Sequence, residues 1–183
     1  MLVFHMKQIV LDTETTGLSV NDGHRVIEIA CLEISASRQR DNFFYARINP
    51  EREIDDCAAQ VHGFTLADLK SEPVFSAIAP AFLRFIRGAE LLIHHAPFDV
   101  AFLDAELARL NLPGLESTCV VTDTLQMAQE MYPGQANSLE MLCRRLKIGS
   151  RGPGLGVTHN VQLLADVYLA MTGKSRPMRE APA

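Results

Sequence analysis

Several features that would point to a particular class of protein are missing from this sequence. It contains no tryptophan, and its four cysteines (Cys31, Cys57, Cys119 and Cys143) form no C-x-x-C pair. Cysteines scattered in this way argue against a disulfide scaffold and against a zinc site. They are typical of reduced, buried thiols in a cytosolic protein.

Long hydrophobic runs are also absent. No apolar stretch approaches the about 20 residues that a membrane-spanning helix needs. Residues 1–5 lack the charged and hydrophobic regions of a secretion signal. We therefore expect a cytoplasmic protein with no membrane segment.

Positive charge is in short supply. The formal net charge of 183 residues is -5, which argues against a protein that binds nucleic acid by charge alone. If the chain handles a phosphate backbone, metal ions must offset the negative charge of the site, or a partner must hold the substrate. The length fits one domain with a sizeable core.

Near the start of the chain, an apolar run ends in two carboxylates. Residues 9–11 (Ile-Val-Leu) predict a buried strand, and the period of two places Asp12 and Glu14 on one face. Two like charges this close favour a shared divalent cation with oxygen ligands. Alternatively, Asp12 begins a polar turn that Gly17 closes. At this point both interpretations stay open.

Strand and helix patterns alternate along the rest of the chain. A predicted meander of three strands is followed by mixed helices and strands, which indicates an α/β layered domain with a mixed sheet. Further strands are predicted at 25–35, 43–48, 91–95 and 119–123, and helices at 55–62, 75–87, 98–110, 124–131, 138–146 and 160–171.

Four polar or helix-breaking residues need an interpretation. Glu28 interrupts the second strand, and we expect it to face solvent. Pro80 should kink its helix or remove one hydrogen bond. His62 and Asp99 lie at helix ends, where either can simply complement the helix dipole. Alternatively, the helix starting at Phe98 brings Asp99 beside the end of the first strand, where three acids would form a two-metal site.

Six segments, in this order, carry a resemblance to a known family. They are residues 12–17 (Asp-Thr-Glu-Thr-Thr-Gly), 61–63 (Val-His-Gly), 93–99 (Ile-His-His-Ala-Pro-Phe-Asp), 121–123 (Val-Thr-Asp), 137–139 (Asn-Ser-Leu) and 164–173. From Lys7 to Lys174 the chain resembles the epsilon proofreading subunits of bacterial DNA polymerase III. These belong to the DEDD 3′–5′ exonucleases, whose fold is a ribonuclease H-like mixed β-sheet flanked by helices.

The resemblance implies a role for each matching residue. Asp12 would bridge two Mg²⁺ or Mn²⁺ ions, Glu14 would bind one of them and touch the terminal nucleotide, and Asp99 would hold the other ion. Thr15 and His62 would contact the 3′-terminal nucleotide. Hard oxygen ligands suit these metals. Asp123 matches a position near the site, and we expect it to be structural.

The last motif departs from the family pattern. Where the family has H-G-A-L-L-D, residues 155–160 read Leu-Gly-Val-Thr-His-Asn, so the general-base histidine falls on Leu155 and the fourth metal-binding aspartate on Asn160. His159 is a candidate substitute base, although one helical residue turns its side chain about 100° away. Asp166 cannot replace Asn160 without a shift. We therefore predict impaired hydrolysis.

The resemblance also implies substrates and partners. The substrate would be a single-stranded or frayed DNA 3′ end, and polymerase III alpha and theta-like subunits would be partners. Residues 1–173 would form the exonuclease domain and 174–183 a disordered polar tail, which lacks a sliding-clamp motif. His95 replaces a family asparagine.

Two other functions compete with this interpretation. One is a catalytically inactive exonuclease-fold subunit that stabilises or scaffolds a polymerase, which Leu155 and Asn160 favour. The other is an RNA-trimming or nucleotide-clearing relative, because the same four-acid site serves several substrates. The sequence does not choose between DNA and RNA.

Overall fold

A mixed five-stranded sheet forms the centre of the protein. The structure is a computed structural model that describes residues 6–34, 42–149 and 156–173. The strand order is β3-β2-β1-β4-β5, with β1, β2 and β3 antiparallel and β4 and β5 parallel to β1. The strands are β1 (Gln8–Thr15), β2 (Val26–Ile34), β3 (Phe43–Arg47), β4 (Glu90–Ile93) and β5 (Val120–Asp123). The predicted mixed α/β sheet is confirmed.

Seven α-helices flank this sheet in the described part of the chain. They are α1 (Asp56–His62), α2 (Leu66–Leu69), α3 (Phe75–Ile86), α4 (Ala96–Arg109), α5 (Thr124–Met131), α6 (Leu139–Leu146) and α7 (Gly156–Met171). The last helix begins four residues earlier than predicted. None of the helices described here is long and apolar enough to cross a membrane.

The apolar run of β1 is explained by cores on both faces of the sheet. Ile9 and Leu11 pack with residues of α3 and α4 in one core. Val10 packs with residues of α6 and α7 in the other core. All three side chains are fully buried. A strand covered on both faces shows consecutive apolar residues rather than alternation.

The prediction that Glu28 faces solvent is wrong. Its residue is only 3% exposed, because α7 packs over this face of β2. The Tyr45 hydroxyl on β3 donates a hydrogen bond to Glu28 Oε1. Burial raises the pKa of the Glu28 carboxyl, and the Tyr45 hydrogen bond opposes that rise. Glu28 is therefore an interior acid.

Two other expectations concern chain continuity. Pro80 lies inside α3, which continues from Phe75 to Ile86, so the proline lacks an N–H to donate but does not end the helix. Leu155 and the tail 174–183 lie outside the described residues. The domain boundary at residue 173 therefore stays a prediction.

Candidate active site

The first two candidate acids lie in the part of β1 that extends beyond its pairing with β4. β1 pairs with β4 only from Gln8 to Leu11, but it stays paired with β2 as far as Thr15. Asp12 and Glu14 therefore belong to the strand and share one face. The alternative in which Asp12 begins a turn is wrong. The gap beside β1 leaves room for a cleft at this edge.

Asp99 reaches the same edge from α4. His95, in a left-handed backbone conformation with φ 76°, precedes the helix and turns the chain after β4. The Asp99 side chain is buried and accepts hydrogen bonds from Thr13 at 3.1 Å (N–H) and 2.7 Å (hydroxyl). Burial, and then the charge of Asp12, hold the pKa of Asp99 well above its usual range. Asp99 and Asp12 are thus electrostatic neighbours.

Asn160 reaches Asp12 from the opposite side of the sheet. It lies in the second turn of α7 and is 4% exposed. Its Nδ2 donates a hydrogen bond to Asp12 Oδ2 at 2.8 Å. His159, the preceding residue, is half-buried in the same helix. The structure thus brings the residue 160 side chain to the Asp12 carboxylate.

A cleft of about 340 Å³ opens beside these residues. Glu14 and Thr15 line it from β1, His62 from α1 and Phe98 from α4. Its other lining residues are Thr13, Gly17, Leu18, Ser19, Asp22, His24, Asp55, Cys57, Ala58 and Val61. Of the three candidate acids, Glu14 lines this cleft. A cleft that adjoins the candidate acids can admit the end of a chain-like substrate.

His62 lines this cleft with a defined ring tautomer, and its Nε2 atom is itself buried. The Phe64 N–H donates to His62 Nδ1 at 3.1 Å, so the neutral ring carries its proton on Nε2. Burial lowers the pKa of His62, and an interaction with the Thr15 backbone opposes that change. The neutral ring is therefore favoured, with Nε2 as a hydrogen-bond donor.

Asp123 has structural contacts. It caps α5 by accepting from the Leu125 N–H at 2.9 Å, and it accepts from the His95 N–H at 3.1 Å. These bonds link the starts of α4 and α5. His95 itself is exposed and stacks on Phe98, with ring centroids 6.5 Å apart.

The fit of this site to metal ions is partial. The carboxylates of Asp12, Glu14 and Asp99 are the hard oxygen donors that divalent ions prefer. A raised Asp99 pKa also indicates a buried acid without a nearby positive charge. However, within the described ranges no three His, Cys, Asp or Glu side chains group closely enough to hold a metal ion. At position 160 an amide N–H points to Asp12 where a fourth acid would offer an oxygen.

Of two further polar residues at this site, Glu28 was predicted to lie at the surface and His24 was not predicted at all. Glu28 lies directly opposite Glu14 in the β1–β2 pairing, and its signal was a charge within an otherwise apolar strand. His24 lines the cleft and is 8% exposed. A lone histidine after a glycine carries no periodic signal, so the sequence alone could not have indicated it.

Comparison with known proteins agrees with this geometry. Residues 9–160 match the sequence family described as Exonuclease. The chain belongs to the exonuclease family. Its sequence is 49% identical over 173 residues to DNA polymerase III subunit epsilon of Pasteurella multocida, covering 91% of this chain and 68% of the relative. It is 42% identical over 179 residues to the subunit of the same name from Escherichia coli, covering 94% and 74% of the two chains.

Solved structures show the same fold for this exonuclease-family protein. Exonuclease X in complex with 5′ overhanging duplex DNA superposes with a TM-score of 0.68 at 21% identity, covering 92% of each chain. A full-length 3′-exonuclease superposes with a TM-score of 0.77 at 15% identity, covering 93% of this chain and 61% of the other. At these identities the likeness supports the ribonuclease H-like fold and no more.

Proposed function

We propose that this exonuclease-family protein removes nucleotides from DNA 3′ ends in a metal-dependent reaction that Asn160 and Leu155 slow. The observation that carries this proposal is the 2.8 Å hydrogen bond from Asn160 to Asp12, on the same strand end that Asp99 approaches. An acid at position 160 would add a negative ligand. The amide adds none and occupies one Asp12 oxygen.

The roles of the other residues follow from their positions. Asp12, Glu14 and Asp99 would hold two Mg²⁺ or Mn²⁺ ions, which would supply activation of water and stabilisation of charge at the phosphate. Thr15 and His62 line the cleft that would receive the terminal nucleotide. The His62 Nε2–H is suited to donate to an oxygen of that nucleotide.

The proposed partners come from the relatives. The Pasteurella multocida and Escherichia coli proteins are subunits of DNA polymerase III. We extend that association to this chain, with alpha-like and theta-like subunits as partners. A DNA end as the substrate follows from the same extended association with a DNA polymerase.

The same hydrogen bond favours a second candidate function. The Asp12 carboxylate already accepts a hydrogen bond from the Asn160 amide, so it has less need of a cation. The general base that Leu155 replaces is also missing, and losing a general base commonly costs about a hundred- to ten-thousandfold in rate. The second candidate is thus an inactive exonuclease-fold subunit that stabilises a polymerase.

Restoring the family residues tests the first proposal. Digestion of a 3′-mismatched primer is measured with Mg²⁺ or Mn²⁺ for wild type, Asn160→Asp and the double variant Asn160→Asp/Leu155→His. We expect slow turnover by wild type, faster turnover by the single variant, and about a hundred- to ten-thousandfold gain in the double variant, since both a ligand and a base return.

Two controls make this result decisive. Asp12→Ala in the double variant should abolish digestion, which excludes a contaminating nuclease. Wild-type turnover equal to that of the double variant would show that the last motif does not limit the reaction. Calorimetric Mn²⁺ titration separates the two candidates, because wild type that binds no Mn²⁺ is the result expected of an inactive subunit.

A further inference from the structure

His24 joins two walls of the cleft. One wall is the loop at 16–19 that follows β1, of which residues 17–19 line the cleft, and the other is α1, which carries His62. The His24 ring lies between them, with Nδ1 3.0 Å from Thr16 Oγ1 and Nε2 3.3 Å from Asp55 Oδ2. Since Asp55 immediately precedes α1, one buried side chain contacts both walls.

The hydrogen bonds around His24 assign its protons. The Asp55 carboxylate can only accept, so Nε2, which faces it, carries a proton. In a neutral ring Nδ1 is then the acceptor and the Thr16 hydroxyl donates to it, while Thr16 Oγ1 accepts from the Arg25 N–H at 2.9 Å. Every polar atom of the His24 ring therefore has a partner in this arrangement.

The Asp55 side chain contacts His24 instead of capping α1. Asp55 occupies the N-cap of α1, yet its side chain forms no capping hydrogen bond to the helix. An aspartate at an N-cap normally accepts from a free N–H of the first turn. The Asp55 N–H donates to the Thr16 carbonyl at 2.9 Å, which ties α1 to the loop a second time.

Gly17 makes the close approach of the ring to the loop feasible. A Cβ at this position would lie 2.3 Å from the His24 ring. The backbone of Gly17 is not in the left-handed region, so a glycine is needed here for space rather than for conformation. The loop and the ring are thus packed together without a gap.

We propose that His24 is a positioning residue for the cleft, where it sets the separation between the 16–19 loop and α1 that a terminal nucleotide requires. This inference rests on the proposed function, because it assigns the cleft to a nucleotide. His24 holds the binding surfaces through Thr16 and Asp55 and does not act on the reacting atoms. It determines nucleotide affinity through preorganisation, since a cleft held in its bound shape loses less entropy on binding.

A matched pair of threonines provides the test. Thr16 and Thr124 are both fully buried, and each hydroxyl lies about 3 Å from a histidine Nδ1, that of His24 or His94. Neither threonine lines the cleft itself. However, Thr16 immediately precedes the lining residues 17–19 and contacts the lining residue His24, whereas neither Thr124 nor His94 lines the cleft. Thr16→Val and Thr124→Val therefore delete the same kind of contact, once between the cleft walls and once away from them. Thr16→Ser keeps the hydroxyl.

The measurements are the melting temperature and the calorimetric Kd for deoxyadenosine 5′-monophosphate in the presence of Mn²⁺. Both valine variants should lose a similar amount of stability. Only Thr16→Val should weaken nucleotide binding, by about tenfold, which corresponds to about 1.4 kcal/mol. Thr16→Ser should retain nearly the wild-type Kd, and His24→Leu should resemble Thr16→Val.

Cys57 supplies a second readout without any ligand. It is the one exposed cysteine among the four of the chain, and it lines the cleft on α1. If the walls separate when the His24 contacts are lost, the alkylation rate of Cys57 by iodoacetamide should rise in Thr16→Val and His24→Leu. The rate should stay at the wild-type value in Thr124→Val.

The outcomes distinguish this inference from the proposed function. Wild type that binds the nucleotide, with an unchanged Kd in Thr16→Val and His24→Leu, would overturn the positioning role alone. Equal weakening in Thr124→Val would overturn it too, because the effect would then be one of general stability. Wild type that binds no nucleotide would overturn both proposals.

Discussion

At the scale of single residues, the surroundings of the Asp99 carboxyl make the stability of the fold depend on pH. It is buried beside Asp12, and two hydrogen bonds from Thr13 only partly offset the cost of ionising it. Its pKa is higher in the folded protein than in the unfolded chain. The folded state therefore binds more protons, and its stability falls as pH rises from the unfolded pKa through the folded one.

We predict that Asp99→Asn removes this pH dependence. In the presence of a chelator, the melting temperature of wild type should fall between pH 4 and pH 8 relative to that of the variant, because only wild type has a carboxyl at residue 99 to ionise. Each pKa unit is worth about 1.4 kcal/mol, and each kcal/mol shifts the melting temperature by about 2–4 °C in a chain of this size. Thermal scans across this pH range check it.

Asparagine is a suitable replacement because its oxygen can still accept both Thr13 hydrogen bonds. The variant should resemble wild type at pH 4, where both carry a neutral side chain. A constant difference between the two proteins across the pH range would show that ionisation of Asp99 is not the cause.

At the scale of elements, α4 must be held against β2 for Asp99 to reach β1. A buried ion pair makes that connection: Arg25 Nε and Nη2 donate to the two Glu106 oxygens at 2.6 and 2.7 Å. The Glu106 side chain is 3% exposed and that of Arg25 16%. The Val26 N–H also donates to Glu106 at 3.3 Å. Removing either partner would leave the other charge buried and unpaired, which is costly.

We predict that Glu106→Ala lowers the free energy of unfolding by about 3–5 kcal/mol, because it leaves a largely buried guanidinium unpaired. Urea unfolding at pH 7 measures this change. The matched control is Glu140→Ala, which removes a surface ion pair with Arg144 on α6, and it should cost no more than about 0.5 kcal/mol. Similar losses in the two variants would contradict the importance of burial.

At the scale of the whole molecule, the state of the site should affect global stability through metal binding. An ion that binds only the folded state stabilises it by about 2.7 kcal/mol at a hundred times its Kd. Asn160→Asp should bind Mn²⁺ more tightly than wild type, since it adds a negative oxygen ligand and removes the amide N–H from Asp12.

We therefore predict that Mn²⁺ raises the melting temperature of Asn160→Asp more than that of wild type. Thermal scans over a series of Mn²⁺ concentrations give the comparison. Asp12→Ala should show the smallest rise of the three proteins. An equal rise in wild type and Asn160→Asp would mean that residue 160 does not affect the ion.

Local patterns were enough for most of the elements. The helix at 124–131 has the predicted bounds, and Ser138 caps α6 by accepting from the Met141 N–H. These features depend on residues close together in the chain. Glu28 was misjudged because its burial depends on α7, whose contacting residues lie far away in the sequence.

The sequence by itself determined which chemical groups are available. They are two acids on one strand face, a third acid in the first turn of a helix, and an asparagine where the family that the chain resembles has an acid. A strand's period and the chain's own motifs specify these. Only the tertiary structure decided that the Asn160 amide contacts Asp12 and that His24 bridges the cleft walls. Each of these contacts joins segments that are far apart in the sequence, and a local sequence pattern does not specify how such segments pack.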